Sequence, residues 1–98
     1  ILKKDWGWKG FIMSDWGAVH SAAAANVGLD QESGEQLDKQ VYFGDPLKAA
    51  IASGEVAPAR LDDMVRRILV GMASNGLLDP QVDAGALDTA ADAPMAQA

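Results

Sequence analysis

The feature of this sequence best suited to chemistry is an aspartate directly after a short apolar run, with a tryptophan beside it: Lys9-Gly10-Phe11-Ile12-Met13-Ser14-Asp15-Trp16-Gly17. Gly10 to Ser14 is entered by glycine and left by polar residues, which suits a strand buried on both faces, as in a parallel sheet. A carboxylate at the C-terminal end of such a strand lies where barrel enzymes and open α/β sheets build their active sites. Trp16 adds a flat apolar face and an indole N–H. Sugar rings stack their axial C–H patches on such a face, and an oxocarbenium-like transition state needs a carboxylate, so the pair suits glycoside chemistry. A purely structural alternative stands beside this one, with Asp15 capping a helix that begins near Ala18 and Trp16 buried in the core.

Other candidates carry weaker signals. His20 is a lone histidine early in a predicted helix, and with no second histidine there is no metal pair. Asp30 and Glu32 end a second apolar run, and one of them could face the same site as Asp15, although loop-terminal carboxylates are mostly solvated. Gly7, Gly10 and Gly17 bracket a strand instead of opening a helix after it, so they form no phosphate-binding fingerprint. The sequence contains no cysteine, which removes disulfides, thiolate metal sites and a cysteine nucleophile.

The elements that must position these residues follow from periodicity and breakers. Ile1 to Trp6 reads as a helix end, with Lys3 and Lys4 at the negative end of the dipole and Gly7 as its stop. After the Gly10–Ser14 strand, Asp15-Trp16-Gly17 forms a turn, Ala18 to Val27 a small-residue helix ended by Gly28, and Leu29 to Glu32 a second strand, the order of a βαβ unit. Residues 33–43 are a loop with an aromatic tip. Asp45-Pro46 starts a helix to about Ser53. From Pro58 a longer helix carries Leu61, Met64, Val65, Ile68, Leu69 and Met72 on one apolar stripe, with Arg60, Asp62, Asp63, Arg66 and Arg67 off it, and Asn75-Gly76 as its C-terminal cap. The Ala-, Asp- and Gly-rich residues 79–98 read as a linker or undocked tail.

At 98 residues, 49% of them hydrophobic and 22% charged, the composition is that of a soluble globular protein. Residues 1–78 carry all eight basic residues against ten acids, whereas 79–98 hold four aspartates and no base. The net charge of −6 therefore belongs mostly to the tail, and no basic stripe invites nucleic acid or an anionic membrane. No signal peptide or transmembrane segment is visible, and a start at Ile1 suggests a piece of a longer or processed chain.

The run Trp6-Gly7-Trp8-Lys9-Gly10-Phe11-Ile12-Met13-Ser14-Asp15-Trp16-Gly17-Ala18-Val19-His20 resembles the signature of glycoside hydrolase family 3, the β-glucosidase family. Asn26-Val27-Gly28-Leu29-Asp30 is similar to the family's next strand. Leu61-Asp62-Asp63-Met64-Val65-Arg66-Arg67-Ile68-Leu69, with Gly76-Leu77-Leu78-Asp79, resembles its closing helix. The resemblance implies an α/β fold: the last two strands and helices of a (β/α)₈ TIM barrel over residues 1–78, followed by an interdomain linker over 79–98. It implies a retaining mechanism in which Asp15 is the nucleophile and Trp16 forms a wall of the sugar site. A second carboxyl group about 5 to 5.5 Å away would serve as acid/base.

The resemblance assigns that acid/base role to neither Glu32 nor Glu35; in the family it comes from a later α/β sandwich domain. It further implies no metal or organic cofactor, a β-glucoside or β-glucan oligosaccharide substrate, the remaining barrel strands and sandwich domain as partners, and a periplasmic or secreted setting. A barrel takes about 250 residues, so these 98 alone are expected to be nearly inactive and to associate through unpaired edges. Two other readings stand beside this one: a carbohydrate-binding or protein-interaction module using the Trp-rich face without turnover, and a plain structural fragment.

Overall fold

The computed structural model describes residues 1–79. The chain opens on one helical turn in which the Asp5 and Trp6 N–H groups donate to the Ile1 carbonyl at 2.8 and 3.2 Å. Gly7, with φ of +68°, ends it as predicted. The predicted stop works because glycine has no Cβ to clash in the left-handed region.

The two apolar runs do pair in parallel, but through a single bridge between Met13 and Gln31. The Asp30 and Gln31 N–H groups donate to the Ile12 carbonyl at 2.9 and 3.1 Å, and Ser14 N–H donates to the Gln31 carbonyl at 2.9 Å. Two strands buried on both faces were expected. Instead Phe11 and Ile12 are half-buried and Met13 is exposed. A parallel strand is extended by neighbours on both edges and by layers on both faces, and the described residues supply one partner segment and one helical layer.

The predicted helix over Ala18–Val27 is also corrected. Its helical part is the 3₁₀ turn Ala22–Ala25, capped by Ser21, whose Oγ accepts from Ala23 N–H at 3.1 Å. A serine hydroxyl inside a run of good helix formers competes for the backbone and starts the helix late. Between Ser21 and Gly28, whose φ is +111°, the chain makes only this one four-residue turn.

Two helices follow as expected. Helix α1 spans Asp45–Ala52 and helix α2 spans Pro58–Ser74, each with proline in its first turn. Gly44, not Asp45, is the N-cap of α1; Asp45 lies in the first turn and pairs with Lys48 at 3.0 Å, both highly exposed. The core joins Ala22 and Ala25 to Leu47, Ala50, Val56 and Met64, with Phe43 and Ile51 against it. Ala25 and Val56 are fully buried.

Helix α2 faces the bridged segments with residues read as its outer side. Arg60 donates from Nε to the Ala25 carbonyl at 2.8 Å, and from Nη2 to the Leu29 carbonyl at 2.8 Å and Asp30 Oδ1 at 2.7 Å. Arg67 donates to the carbonyls of Trp8 and Gly10 at 2.9 and 3.1 Å. Asp63 joins both arginines, its Oδ2 lying 3.0 Å from Arg60 and 2.9 Å from Arg67. On the predicted stripe only Met64 is buried; Val65 and Leu69 remain 48% and 47% exposed. The carbonyls around the bridge need donors, and the guanidinium forks of α2 reach them.

Candidate active site beyond the parallel bridge

The bridge ends at Met13, and the chain leaves it through Ser14 into Asp15. Ser14 is held twice by the partner segment: its N–H donates to the Gln31 carbonyl, and its Oγ accepts from Ser33 N–H at 2.9 Å. Asp15-Trp16-Gly17 then turns as predicted. Ala18 N–H donates to the Asp15 carbonyl at 3.3 Å, and Gly17 takes a φ of +68°, the left-handed third position that a type II turn requires.

Asp15 is exposed, and its Oδ1 accepts from Trp16 N–H at 2.8 Å. Its other oxygen makes no hydrogen bond among the described residues. Trp16 is 62% exposed. The structural alternative for this pair therefore fails on both counts, since the cap of the following turn is Ser21 and Trp16 is not core. The structure brings Asp15 and Trp16 together on an open surface, one carboxylate oxygen oriented and the other available.

Asp30 is no part of that surface. Its side chain is fully buried and accepts from Lys3 Nζ at 2.6 Å, Arg60 Nη2 at 2.7 Å and Ile12 N–H at 2.8 Å. Burial by itself would raise its pKa, but the Lys3 and Arg60 hydrogen bonds, with the Ile12 amide, hold the carboxyl below the usual aspartate range. It is an ionised strut tying the N-terminal turn, the bridge and α2. Glu32 is half-buried, and its Oε2 accepts from Phe43 N–H at 2.5 Å, which pins the return of the 33–43 loop.

His20 is exposed and lines a cavity of about 270 Å³ with Gly17, Val19, Asp38 and Tyr42. Among the described residues, no three His, Cys, Asp or Glu side chains come together to hold a metal ion. No helix there is long and apolar enough to cross a membrane.

The reading by pattern missed Lys3, Ser14, Ser33, Gly34 and, on α2, Arg60 and Arg67. For Arg60 and Arg67 a signal existed, since with Asp63 they follow the same three- and four-residue spacing as a buried face. For Ser14, Ser33 and Gly34 there was none, because their roles depend on which loop lies opposite.

No family model matches the chain. It is 45% identical over 74 residues to a probable β-glucosidase L from Aspergillus terreus, covering 70% of this chain and 10% of that protein. It is 41% identical over 81 residues to a β-glucosidase from Wickerhamomyces anomalus, covering 82% and 10%. Among solved structures, the β-glucosidase D2-BGL from Chaetomella raphigera superposes with a TM-score of 0.75 at 41% identity, over 82% of this chain and 12% of that one. DesR, a β-glucosidase from Streptomyces venezuelae solved in complex with D-glucose, gives 0.74 at 33% identity, over 85% and 12%. These relatives place the chain among the glycoside hydrolases. Within that class it belongs to the β-glucosidase family, and it spans about a tenth of the length of the curated relatives it matches.

Proposed function

We propose that this chain is the nucleophile-bearing segment of a retaining β-glucosidase of the glycoside hydrolase family 3 type, acting on terminal β-D-glucosyl residues. The observation that carries the reading is Asp15 itself: exposed, directly beyond a parallel bridge, one oxygen held by the Trp16 amide and an exposed indole beside it. In the proposed step the unheld oxygen of Asp15 attacks the anomeric carbon. The bond from that carbon to the aglycone oxygen breaks, and a carboxylic acid protonates the leaving oxygen. Water, activated by the same group, then releases glucose and restores the aspartate.

The two carboxylates of the facing segment, Asp30 and Glu32, are both held in structural contacts. Asp30 is kept ionised by Lys3 and Arg60, so it holds no proton to donate at neutral pH. Glu32 accepts from the Phe43 amide through Oε2, and its Oε1 is buried without a hydrogen-bond partner among the described residues. As the resemblance implies, the acid/base is supplied by a domain outside residues 1–79, and the chain alone has little activity. The parallel pairing of the segments around Met13 and Gln31 agrees with the last two strands of a (β/α)₈ barrel, α2 being a closing helix. A non-catalytic carbohydrate-binding or interaction module is not favoured, because the relatives that share this segment are β-glucosidases.

The test is covalent trapping in the enzyme that carries this segment. An activated 2-deoxy-2-fluoroglucoside should label Asp15, identified by peptide mass spectrometry. A label on another residue, or none despite turnover of the parent glucoside, overturns the assignment.

A further inference from the structure

Both neighbours of Asp15 are gripped by one short stretch of the facing segment. On one side, Ser14 is bound through its backbone to Gln31 and through its hydroxyl to Ser33 N–H at 2.9 Å. Ser33's own hydroxyl makes no hydrogen bond among the described residues, so its backbone amide does the binding. On the other side, Gly34 lies flat against Trp16. A Cβ built on Gly34 would stand 2.8 Å from Trp16 Cβ and 2.9 Å from Trp16 Cα. The φ of Gly34 is +88°, which side chains other than hydrogen rarely accept. The loop is then turned back by Leu37 N–H donating to the Gly34 carbonyl at 2.7 Å.

These contacts converge on the carboxylate. Trp16 N–H orients Asp15 Oδ1 at 2.8 Å, so any tilt of the Trp16 peptide turns the carboxylate. Asp15 itself makes no other side-chain hydrogen bond among the described residues. An exposed carboxylate attached to a loosely held turn would sample many directions, whereas displacement of about 1 Å at a reacting group can cost about 100-fold in rate. We propose that Ser14 and Gly34 are positioning residues, which through the Ser33 amide and the Trp16 backbone fix the direction in which the Asp15 carboxylate meets a glycoside.

This inference rests on the reading of Asp15 as nucleophile, and the experiment separates the two. In the enzyme that carries this segment, Ser14→Ala, Ser14→Thr and Gly34→Ala are compared with Asp15→Asn. The readouts are the saturating rate constant of labelling by the fluoroglucoside, kcat and KM, and the melting temperature. Ser14→Ala is expected to slow labelling and kcat about 10- to 100-fold with KM nearly unchanged, and Ser14→Thr, which keeps the acceptor oxygen, to restore most of the rate. Gly34→Ala slows labelling to a similar degree and also raises KM, because its methyl group displaces Trp16.

If Asp15→Asn is inactive while Ser14→Ala and Gly34→Ala label as fast as the parent, the positioning role is wrong and the nucleophile stands. A loss in Ser14→Ala that Ser14→Thr does not restore also overturns the role. Should Ser14→Ala fail to fold, Gly34→Ala decides alone. Full activity in Asp15→Asn overturns the underlying reading instead.

Discussion

At the level of single residues, two aspartates fifteen positions apart have opposite fates. Asp15 is open to solvent with one oxygen unheld; Asp30 is buried among Lys3, Arg60 and the Ile12 amide. The sequence pattern offered both as site carboxylates, and their order of merit was legible only from the motif around Asp15. Removing the proposed nucleophile by Asp15→Asn should lower kcat on the order of 10⁴-fold without a comparable change in melting temperature, read by steady-state kinetics beside thermal denaturation. Asp30→Asn should do the reverse in kind, leaving Lys3 and Arg60 buried against a neutral amide. A broken buried pair costs about 3–5 kcal/mol, so the melt should shift strongly downward.

The same buried ion pair sets a pH dependence. For Asp30, burial raises the pKa, but Lys3 and Arg60 overcome it; for Asp63, burial again opposes the bonds from Arg67 and Arg66 that lower it. A carboxyl whose folded pKa is depressed binds protons more readily when unfolded. Its stabilisation is present in full above the unfolded value of about 3.9 and is lost as pH falls through the folded one. Melting temperatures measured from pH 7 to pH 3 should hold down to about pH 4 and then fall. The fall should be smaller in Asp30→Asn, which no longer has that group to protonate.

For whole elements, the two helices were the most legible part. Asp45-Pro46 and Pro58 open them, and Gly54 and Gly76, with φ of +81° and +71°, end them as expected. Less legible was which side of α2 faces inward. Counting apolar residues selected Leu61, Val65 and Leu69, but Arg60, Asp63 and Arg67 are drawn to the carbonyls around the bridge. Peptide carbonyls do not appear in a hydropathy pattern, so this demand was invisible. The helix expected over Ala18–Val27 failed for a local reason that was legible, Ser21. Ser21→Ala should cost about 1 kcal/mol by removing the Ala23 cap, read as a modest shift in a denaturant melt. Arg60→Ala should cost several times more, since it strips donors from two carbonyls and a partner from Asp30.

Taken as one molecule, the chain leaves apolar surface uncovered. Leu61, Val65, Leu69, Val70, Ala73 and Leu78 border a groove of about 520 Å³ on α2, and the parallel bridge has open edges. Surfaces of this kind associate. Light scattering on the 98-residue chain should report oligomers or aggregates, and a sharp, cooperative melt of a monomer would contradict that expectation. The acidic tail read over 79–98 lies, apart from Asp79, outside the described residues. What local pattern alone determined were the helix ends, the turn at Asp15-Trp16-Gly17 and the motif that points to glycoside chemistry, because breakers, caps and short motifs act within a few residues of themselves. Only the tertiary structure decided that Asp30 is a strut, that α2 turns Arg60 and Arg67 inward and that Ser33 and Gly34 flank the site. Those outcomes depend on which backbone groups meet across the fold, and spacing along one strand of sequence does not carry that information.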